Sequence, residues 1–417
     1  NKINNKYYIG IYLTCQHMNK KYFCYIPFEG FTVDPRGKAQ LCAAWSTDKD
    51  HMIHDLTESA TTVENIFYGD HINNIREKML KDEHVDACNI CYKKEAKGLL
   101  SKRLLYATSR QHRNLKKDKP FKPELKILDI SFSNQCNLYC TMCNSMHSSK
   151  WHQQEQALPT NVHHAIKDHY KNFQFKPVIL QKEFIDSLLD NINDLELIII
   201  KGGEPLYDKN CLAFLDKISN VKPDLKIKIT SNITLITKKT LKMFDKLENL
   251  EICASIDGID KTYEWIRGYK FDQVNENFKL LLNHPKIKLL EVHYTVTPYN
   301  VGNILPTINH FSKYQNNKFT ENGFQLWPAT EPYLSINLLR NDDKKRILED
   351  ISENIGNKFA CLSLEVQNIK NMLTSTDINQ QHGKTFIELT KWMNNQRGFN
   401  IQDHTLHLSN MFSLYEK

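Results

Sequence analysis

Three closely spaced cysteines mark this 417-residue sequence, in the octapeptide Cys136-Asn137-Leu138-Tyr139-Cys140-Thr141-Met142-Cys143. The octapeptide follows the apolar run from Leu125 to Phe132, which predicts a strand. We therefore expect the thiols in the loop at the C-terminal end of that strand, where α/β folds carry their reacting groups. Three thiolates on one loop can hold three irons of a 4Fe–4S cluster and leave the fourth iron open to a small molecule. A zinc site completed by His147 is the alternative.

Apolar runs rich in Ile, Leu and Val alternate with amphipathic stretches beyond this point. The predicted strands are Leu125–Phe132, Leu195–Ile200, Leu225–Thr230, Leu250–Ile256, Ile287–Val296 and Phe324–Trp327. The predicted helices are Gln181–Ile192, Cys211–Ile218, Lys239–Leu247, Val274–Leu282 and Val301–Phe311, then Lys344–Ile355, Leu362–Met372 and Lys384–Asn394. This alternation predicts an α/β fold with an incomplete strand–helix barrel over residues 124–330 and a helical C-terminal region over 331–417.

The N-terminal part has a different pattern. The runs Tyr22–Ile26 and Lys38–Ala43 predict a small hairpin, and Ile72–Leu80 predicts a helix, so we expect a separate module over residues 1–105. A basic connector follows over 106–123, inside a segment from Lys97 to Lys126 that carries a charge of +8. A solvated connector explains this charge, and a contact with an anionic substrate or nucleic acid is the alternative. The segment contains no recognisable nucleic-acid motif.

Composition excludes several classes of protein. With 41% hydrophobic and 25% charged residues, the chain is neither disordered nor fibrous. The longest apolar run, Leu195–Ile200, is far shorter than the roughly 20 residues that a membrane span needs. Eleven cysteines, an odd number, do not suggest a secreted disulfide framework. We therefore expect a cytoplasmic protein without membrane contact, and we do not interpret Tyr7–Cys15 as a signal peptide.

Further motifs follow the cysteine triad at the ends of successive predicted strands. They are Lys201-Gly202-Gly203-Glu204-Pro205, Thr230-Ser231-Asn232, Ser255-Ile256-Asp257-Gly258 with Arg267-Gly268, and Thr295-Val296-Thr297. Together with the Cys-x3-Cys-x2-Cys spacing, these motifs resemble those of the radical S-adenosylmethionine (radical SAM) superfamily. The resemblance implies a partial (β/α)6 radical SAM barrel in which Cys136, Cys140 and Cys143 ligate a 4Fe–4S cluster.

The resemblance also implies a binding site for S-adenosylmethionine. Glu204 would accept from the methionine amino group, Ser231 and Asn232 would reach the ribose, and Arg267 would pair with the carboxylate. The implied contact residues are Tyr139, Gly202, Gly203, Glu204, Ser231, Asn232, Ser255, Arg267 and Val296. Ile233 stands where the family's ribose motif has glycine. In this family an electron from the reduced cluster splits S-adenosylmethionine, and the resulting 5'-deoxyadenosyl radical abstracts a hydrogen atom from the substrate.

A second set of cysteines precedes the barrel. Cys24 and Cys42 form the pattern Cys-x12-Gly-x4-Cys, and Cys88 and Cys91 form Cys-x2-Cys. On spacing alone, these four could hold zinc or an iron–sulfur cluster. In the context of a radical SAM barrel they resemble a twitch (SPASM-like) auxiliary-cluster domain, as found in twitch-containing radical SAM proteins of marine phages and bacteria. The resemblance implies a second 4Fe–4S cluster for electron transfer, with Cys15 as a spare ligand.

The remaining cysteines are interpreted individually as small buried apolar residues. They are Cys15, Cys211, Cys253 and Cys361. A thiol that donates hydrogen to a substrate radical is the alternative, and the catalytic candidates are Cys253, Asp257 and Tyr263.

The resemblance further implies an enzyme that acts on a peptide or protein and receives electrons from a flavodoxin- or ferredoxin-like donor. Two other functions stay open. One is a radical SAM dehydrogenase or rearrangement enzyme acting on a nucleotide or sugar. The other is a non-enzymatic zinc-binding module for nucleic acid.

Overall fold

The computed structural model describes residues 20–44, 51–96, 101–108, 122–170, 173–355, 362–374 and 379–416. Cys15, Cys361 and most of the basic connector lie outside these described residues. The chain divides into two compact units. Unit 1 comprises Asn1–Ser133, Val178–Gly202 and Lys217–Ile227, and unit 2 comprises Asn134–Pro177, Gly203–Asp216 and Lys228–Lys417.

Strands and helices alternate along most of the chain. The strands are β1 (Gly30–Val33), β2 (Lys38–Gln40), β3 (Met52–Asp55), β4 (Ile127–Ser131), β5 (Leu197–Lys201), β6 (Lys226–Ser231), β7 (Leu250–Ser255), β8 (Ile287–Val296) and β9 (Phe324–Pro328). The helices up to the fourth strand are α1 (Ile26–Glu29), α2 (Val63–Phe67), α3 (Asp70–Leu80), α4 (Asn89–Ala96) and α5 (Lys102–Thr108). Next come α6 (Ser149–Glu155), α7 (Thr160–His169), α8 (Lys182–Asp190), α9 (Lys209–Val221), α10 (Lys238–Phe244), α11 (Asp260–Arg267), α12 (Phe271–Asn283) and α13 (Ile304–Ser312). The C-terminal helices are α14 (Asn341–Asp350), α15 (Ser363–Leu373), α16 (Gln380–Arg397) and α17 (Leu406–Tyr415).

Unit 1 contains a mixed sheet in the order β3-β2-β1-β4-β5. The first three strands pair antiparallel, whereas β1 pairs parallel with β4, and β4 pairs parallel with β5. All five residues of β4 are buried, as expected for a strand inside a parallel sheet. The N-terminal hairpin is therefore continuous with the sheet that contains the first predicted barrel strand.

The predicted strand at Tyr22–Ile26 is wrong. That segment leads into α1, where Pro27 occupies the first turn and its fixed φ favours helix. The hairpin strand lies further on, at β1, and its partner β2 was predicted correctly. The third strand, β3, was not predicted because it contains His54 and Asp55, which have low strand propensity.

Unit 2 carries the greater part of β6, followed in the sheet by β7, β8 and β9. β7 pairs parallel with β8, and β8 pairs parallel with β9. All six strands predicted for the barrel are present, as β4 to β9. The structure thus confirms an α/β fold with a partial parallel sheet and a helical C-terminal region.

Several helices were not predicted from the sequence, among them α6, α7, α11 and α17. Gly268 caps the C-terminal end of α11 in the left-handed conformation, with a φ of 67°. In the residues that the structure describes, no helix combines the length and apolar character needed to cross a membrane. The domain boundaries at residues 105, 123 and 330 stay predictions.

Candidate functional site

The cysteine loop of unit 2 is fixed by hydrogen bonds to its own backbone. The indole Nε1 of Trp151 donates to the carbonyl of Cys140 at 2.7 Å, and the hydroxyl of Ser148 donates to the carbonyl of Leu138 at 2.6 Å. The backbone N–H of Cys143 donates to the carbonyl of Cys140 at 2.9 Å. Ser148 also caps α6, which carries the buried Trp151. The helix that follows the loop therefore holds it in one conformation.

The three thiols of this loop interact with one another. Burial, followed by the nearby Cys140 and Glu204, raises the pKa of Cys136 to about 12. Burial also raises the pKa of Cys143 well above its usual value, and Cys140 and Cys136 raise it further. Burial raises the pKa of Cys140, and the positive charges of Arg267 and Arg397 oppose this rise. No disulfide joins the described cysteines. The thiols therefore lie together and favour the thiolate form only when a positively charged group binds them.

The donor atoms of both cysteine sets are all sulfur, which iron–sulfur clusters and structural zinc sites both use. Among the described residues, neither the cysteine triad nor the set Cys24, Cys42, Cys88 and Cys91 forms a group of three donor atoms that all lie within 4.8 Å of one another. Three thiols on one loop fit an iron–sulfur cluster that keeps one open iron.

The glycines of the Gly-Gly-Glu motif allow close backbone packing. A Cβ atom on Gly203 would lie 2.0 Å from the carbonyl oxygen of Gln135, the residue before Cys136. Gly202 has a φ of 125°, which disfavours any other residue, and a Cβ there would meet the side chain of Ser131 at 2.9 Å. The motif needs both glycines, one for close approach and one for its backbone conformation.

Glu204 is 2% exposed and accepts three hydrogen bonds. Its carboxylate accepts from the hydroxyl of Ser231 at 2.7 Å, from the backbone N–H of Asn232 at 2.7 Å and from that of Leu206 at 3.1 Å. Burial raises the pKa of Glu204, and these donors oppose the shift. Three residues predicted to contact S-adenosylmethionine are thus brought together around one carboxylate.

Ile233 adopts the conformation that the family's glycine would provide. Its φ is 50°, its side chain is fully buried, and its N–H donates to the hydroxyl of Ser231 at 2.9 Å. The amide of Asn277 donates to its carbonyl at 2.8 Å. The neighbouring Asn232 donates from its side-chain amide to Asn137 of the cysteine loop, also at 2.9 Å. The backbone turn of the motif is therefore kept without glycine.

Asp257 and Arg267 form a buried ion pair beside the cysteine loop. The fully buried Asp257 carboxylate accepts from the guanidinium of Arg267 and, at 2.6 Å, from the backbone N–H of Thr295. Burial would lower the pKa of Arg267, but Asp257 and Cys140 keep it above its usual value. A second guanidinium nitrogen lies 3.7 Å from the sulfur of Cys140. The pair thus connects the end of β7 with the cysteine loop.

The other predicted residues have less distinctive surroundings. Ser255 is half-buried at the end of β7, and Val296 is buried at the end of β8. Tyr263 on α11 is fully buried, and its hydroxyl has no hydrogen-bond partner among the described residues. Burial raises the pKa of its phenol, so it stays protonated at neutral pH.

Cys253 lies in a cluster of polar side chains, of which only Cys253 itself was named from the sequence. The Cys253 thiol donates to Glu291 at 3.0 Å, and the ammonium of Lys228 lies 2.6 Å from the same carboxylate. One donor atom each from Cys253, Glu291 and His293 lie within 4.8 Å of one another. Burial, followed by Glu291, raises the pKa of the Cys253 thiol. Polar residues at alternating positions of β8 were the signal that sequence reasoning could have used.

Arg397 on α16 was not predicted as a site residue. It donates to the carbonyl of Tyr139 at 2.8 Å and to that of Trp265 at 2.7 Å. It lies in the segment from Lys391 to Gly398, which the resemblance covered without giving it a role. An arginine in the last turn of a helix is also common for helix capping, so the sequence alone could not single it out.

The four N-terminal cysteines form a second group within unit 1. Burial raises the pKa of Cys24 well above its usual value, and Cys88, Cys42 and Cys91 contribute to the shift. Burial raises the pKa of Cys42 to about 11 and that of Cys88 to about 12, and Cys91 contributes to both. Each thiol thus lies near other thiols of the set.

Arg103 connects the segments that carry these cysteines. Its guanidinium donates to the carbonyls of Lys21 at 2.7 Å and Phe23 at 3.0 Å, and it pairs with Glu95. It also lies 5.0 Å from the ring centroid of Tyr92. Arg103 therefore joins the chain next to Cys24 to the helix that carries Cys91.

Comparison with known proteins agrees with this site. Residues 130–301 match the family model described as Radical SAM superfamily. The range includes the cysteine triad, the Gly-Gly-Glu motif and Arg267. The chain therefore contains a radical SAM superfamily domain, the catalytic domain of a class of enzymes.

The relatives of this chain match only part of it. GTP 3',8-cyclase of Haemophilus influenzae (strain PittEE) is 26% identical over 159 residues, which is 37% of this chain and 40% of that protein. The chain thus spans less than half the length of the curated relatives it matches. Streptococcus suis SuiB bound to the precursor peptide SuiA has a TM-score of 0.40 at 16% identity, covering 65% of this chain and 60% of SuiB. Native anSMEcpe with bound AdoMet has a TM-score of 0.41 at 18% identity, and the match covers 56% of this chain and 62% of anSMEcpe.

Proposed function

We propose that this protein is a radical SAM enzyme that removes a hydrogen atom from a peptide or protein substrate. The observation that carries the proposal is the radical SAM domain at residues 130–301, which encloses three interacting thiols, one buried and two half-buried, near the Glu204 carboxylate. A 4Fe–4S cluster with S-adenosylmethionine supplies, when bound, a 5'-deoxyadenosyl radical.

The residues of the chain have separate tasks in this proposal. Cys136, Cys140 and Cys143 would hold the cluster. Glu204 would accept a further hydrogen bond from the methionine amino group, because a carboxylate offers about four acceptor positions and three are used. Arg267 would hold the carboxylate of the ligand. Burial of these groups excludes water and strengthens each charged contact.

We include in this proposal an auxiliary 4Fe–4S cluster on Cys24, Cys42, Cys88 and Cys91, in a twitch-like module over residues 1–105. The mutual electrostatic interaction of the four thiols supports it. The ammonium of Lys102 interacts electrostatically with Cys42 and Cys91, which would offset part of the negative charge of a thiolate-bound cluster. Four protein ligands leave no open iron, so the role proposed for this cluster is one-electron transfer.

The proposed substrate is a peptide or protein, because the arrangement of a radical SAM barrel with an auxiliary-cluster module resembles peptide-modifying relatives. A nucleotide is the second candidate, and the 26% identity to GTP 3',8-cyclase favours it. The proposal further includes a flavodoxin- or ferredoxin-like electron donor, a cytoplasmic location, and kinship with the twitch proteins of marine phages and bacteria.

Iron content and S-adenosylmethionine cleavage test the proposal. Anaerobically purified protein should be brown, contain about eight irons per chain and release 5'-deoxyadenosine from S-adenosylmethionine on reduction. Replacing Cys136, Cys140 and Cys143 by Ala should abolish cleavage and leave about four irons. Cys211→Ala is the matched control, because Cys211 is a buried cysteine of α9 outside both sets. Stoichiometric zinc without iron, or cleavage by the triple variant, would contradict the proposal.

Substrate class is tested separately. The reduced protein is incubated with S-adenosylmethionine and either GTP or synthetic peptides made from any short reading frames found beside its gene. Faster formation of 5'-deoxyadenosine with one of these peptides, and not with GTP, is expected. The opposite result would replace the peptide by the nucleotide.

A further inference from the structure

The C-terminal helix α16 reaches the cysteine loop through one residue, Arg397. One guanidinium nitrogen donates to the carbonyl of Tyr139, the residue next to Cys140, and another donates to the carbonyl of Trp265. The guanidinium carbon lies 4.3 Å from the ring centroid of Tyr139. Arg397 thus holds Tyr139 by its backbone and its ring, and it connects the cysteine loop to α11.

The surroundings of Arg397 allow it few other positions. A Cβ atom on Gly268 would lie 2.8 Å from the guanidinium, so only glycine leaves this space free. On the same helix, Asn394 accepts from the indole of Trp265 at 2.9 Å, and the ring of Trp392 stacks on Trp151 at 5.8 Å. Three residues of α16 therefore fix the helix against the cysteine loop and its neighbours.

Positive charge is distributed unevenly around the three thiols. A guanidinium nitrogen of Arg267 lies 3.7 Å from the sulfur of Cys140, and the guanidinium of Arg397 donates to the carbonyl of the residue before Cys140. Burial lowers the pKa of Arg397, but an arginine stays charged at neutral pH. A cation near an iron–sulfur cluster stabilises the reduced form, which carries one more negative charge, and so raises the reduction potential.

We propose that Arg397 is a positioning residue that orders the Tyr139–Cys140 segment for cluster binding and raises the reduction potential of the bound cluster. This inference rests on the proposed function, because it requires a cluster on Cys136, Cys140 and Cys143. It gives the helical C-terminal region a role in tuning electron transfer to that cluster.

The test uses the full-length protein with reconstituted clusters and without S-adenosylmethionine. Arg397→Gln removes the charge, and Arg397→Lys keeps it but can reach fewer acceptors. Lys391→Gln is the matched control, because Lys391 lies on the same helix, is exposed and pairs with Glu416. Iron content and an EPR-monitored redox titration are measured, and the signal absent from the triple cysteine variant identifies the cluster in question.

At a fixed applied potential, we expect the ratio of reduced to oxidised cluster in Arg397→Gln to be about three- to tenfold below wild type. Arg397→Lys should stay within about twofold, and Lys391→Gln should match wild type. If Arg397→Gln does not retain iron, retention in Arg397→Lys supports the proposal. Wild-type potential and iron in Arg397→Gln, or equal losses in Lys391→Gln, would overturn it. Absence of a reducible cluster in wild type would instead refute the proposed function.

Discussion

Replacing Glu204 by Gln should destabilise the protein even before any ligand is added. Both carboxylate oxygens of Glu204 accept hydrogen bonds from buried backbone N–H groups, one from Asn232 and one from Leu206. A glutamine amide has only one oxygen, so its NH2 group must face one of these donors. Ser231 can rotate its hydroxyl and accept instead of donating, but a backbone N–H cannot.

One buried backbone donor is therefore left without an acceptor in Glu204→Gln. Such a group costs about 1–3 kcal/mol of stability. Each kcal/mol lowers the Tm by roughly 2–4 °C in a domain of 150–250 residues. Loss of the charged acceptor should also weaken S-adenosylmethionine binding by about 10- to 100-fold, if the amino group binds here.

The assay is thermal and denaturant unfolding of Glu204→Gln, followed by calorimetric titration with S-adenosylmethionine. Glu276→Gln serves as the control, because Glu276 is exposed and forms only a surface ion pair with Lys279. If Glu204→Gln unfolds within 1 °C of the control and binds the ligand with wild-type affinity, the role given to this carboxylate is wrong.

Three further predictions concern other parts of the structure. Ile233→Gly should relieve about 1 kcal/mol of backbone strain but lose a buried side chain worth about 2–5 kcal/mol, so urea unfolding should show net destabilisation. Burial would raise the pKa of Glu291, but the ammonium of Lys228 at 2.6 Å and the hydrogen bond from the Cys253 thiol lower it from 4.5 to about 2. The ionised carboxylate therefore stabilises the folded protein by about 3 kcal/mol above pH 4.5, and this stability is lost as the pH falls to 2. Glu291→Gln should flatten the pH dependence of the unfolding free energy between these two pH values. An unchanged slope would contradict the role given to Glu291. Arg103→Met should remove about half of the iron, because the contacts of Arg103 to Phe23 and Glu95 hold two cysteine-bearing segments together; full iron content would show that these contacts are dispensable.

The barrel strands were predictable because their sequences are either continuous apolar runs or alternate between apolar and polar residues. β5, Leu-Ile-Ile-Ile-Lys, is of the first kind, and β6, Lys-Ile-Lys-Ile-Thr-Ser, is of the second. The N-terminal hairpin was harder to place. Cys24 and Ile26 look strand-like, but the local effect of Pro27 turns that segment into helix, and the strand begins only at Gly30.

The site was predictable where its residues lie in loops directly after strands, as Glu204 and Asp257 do. Their partners depend on tertiary structure. Nothing in the sequence indicates that Asp257 pairs with Arg267, or that Arg397, far away in the chain, donates to the carbonyl of Tyr139. Ile233 shows the same dependence on tertiary structure. It occupies the glycine position of the family's ribose motif, and buried contacts that no local sequence pattern reveals keep its backbone conformation.

The parallel pairing of β1 with β4 determines which fragments of this chain can be handled alone. β1 covers one edge of β4 through the register Gly30–Ile127 to Val33–Ile130. A fragment that starts at residue 124 would leave that edge with unpaired backbone groups on an apolar strand, an arrangement that promotes self-association. Dissecting the barrel from its N-terminal module should therefore yield aggregates. An intact enzyme with point substitutions is the appropriate material for separating the two proposed clusters.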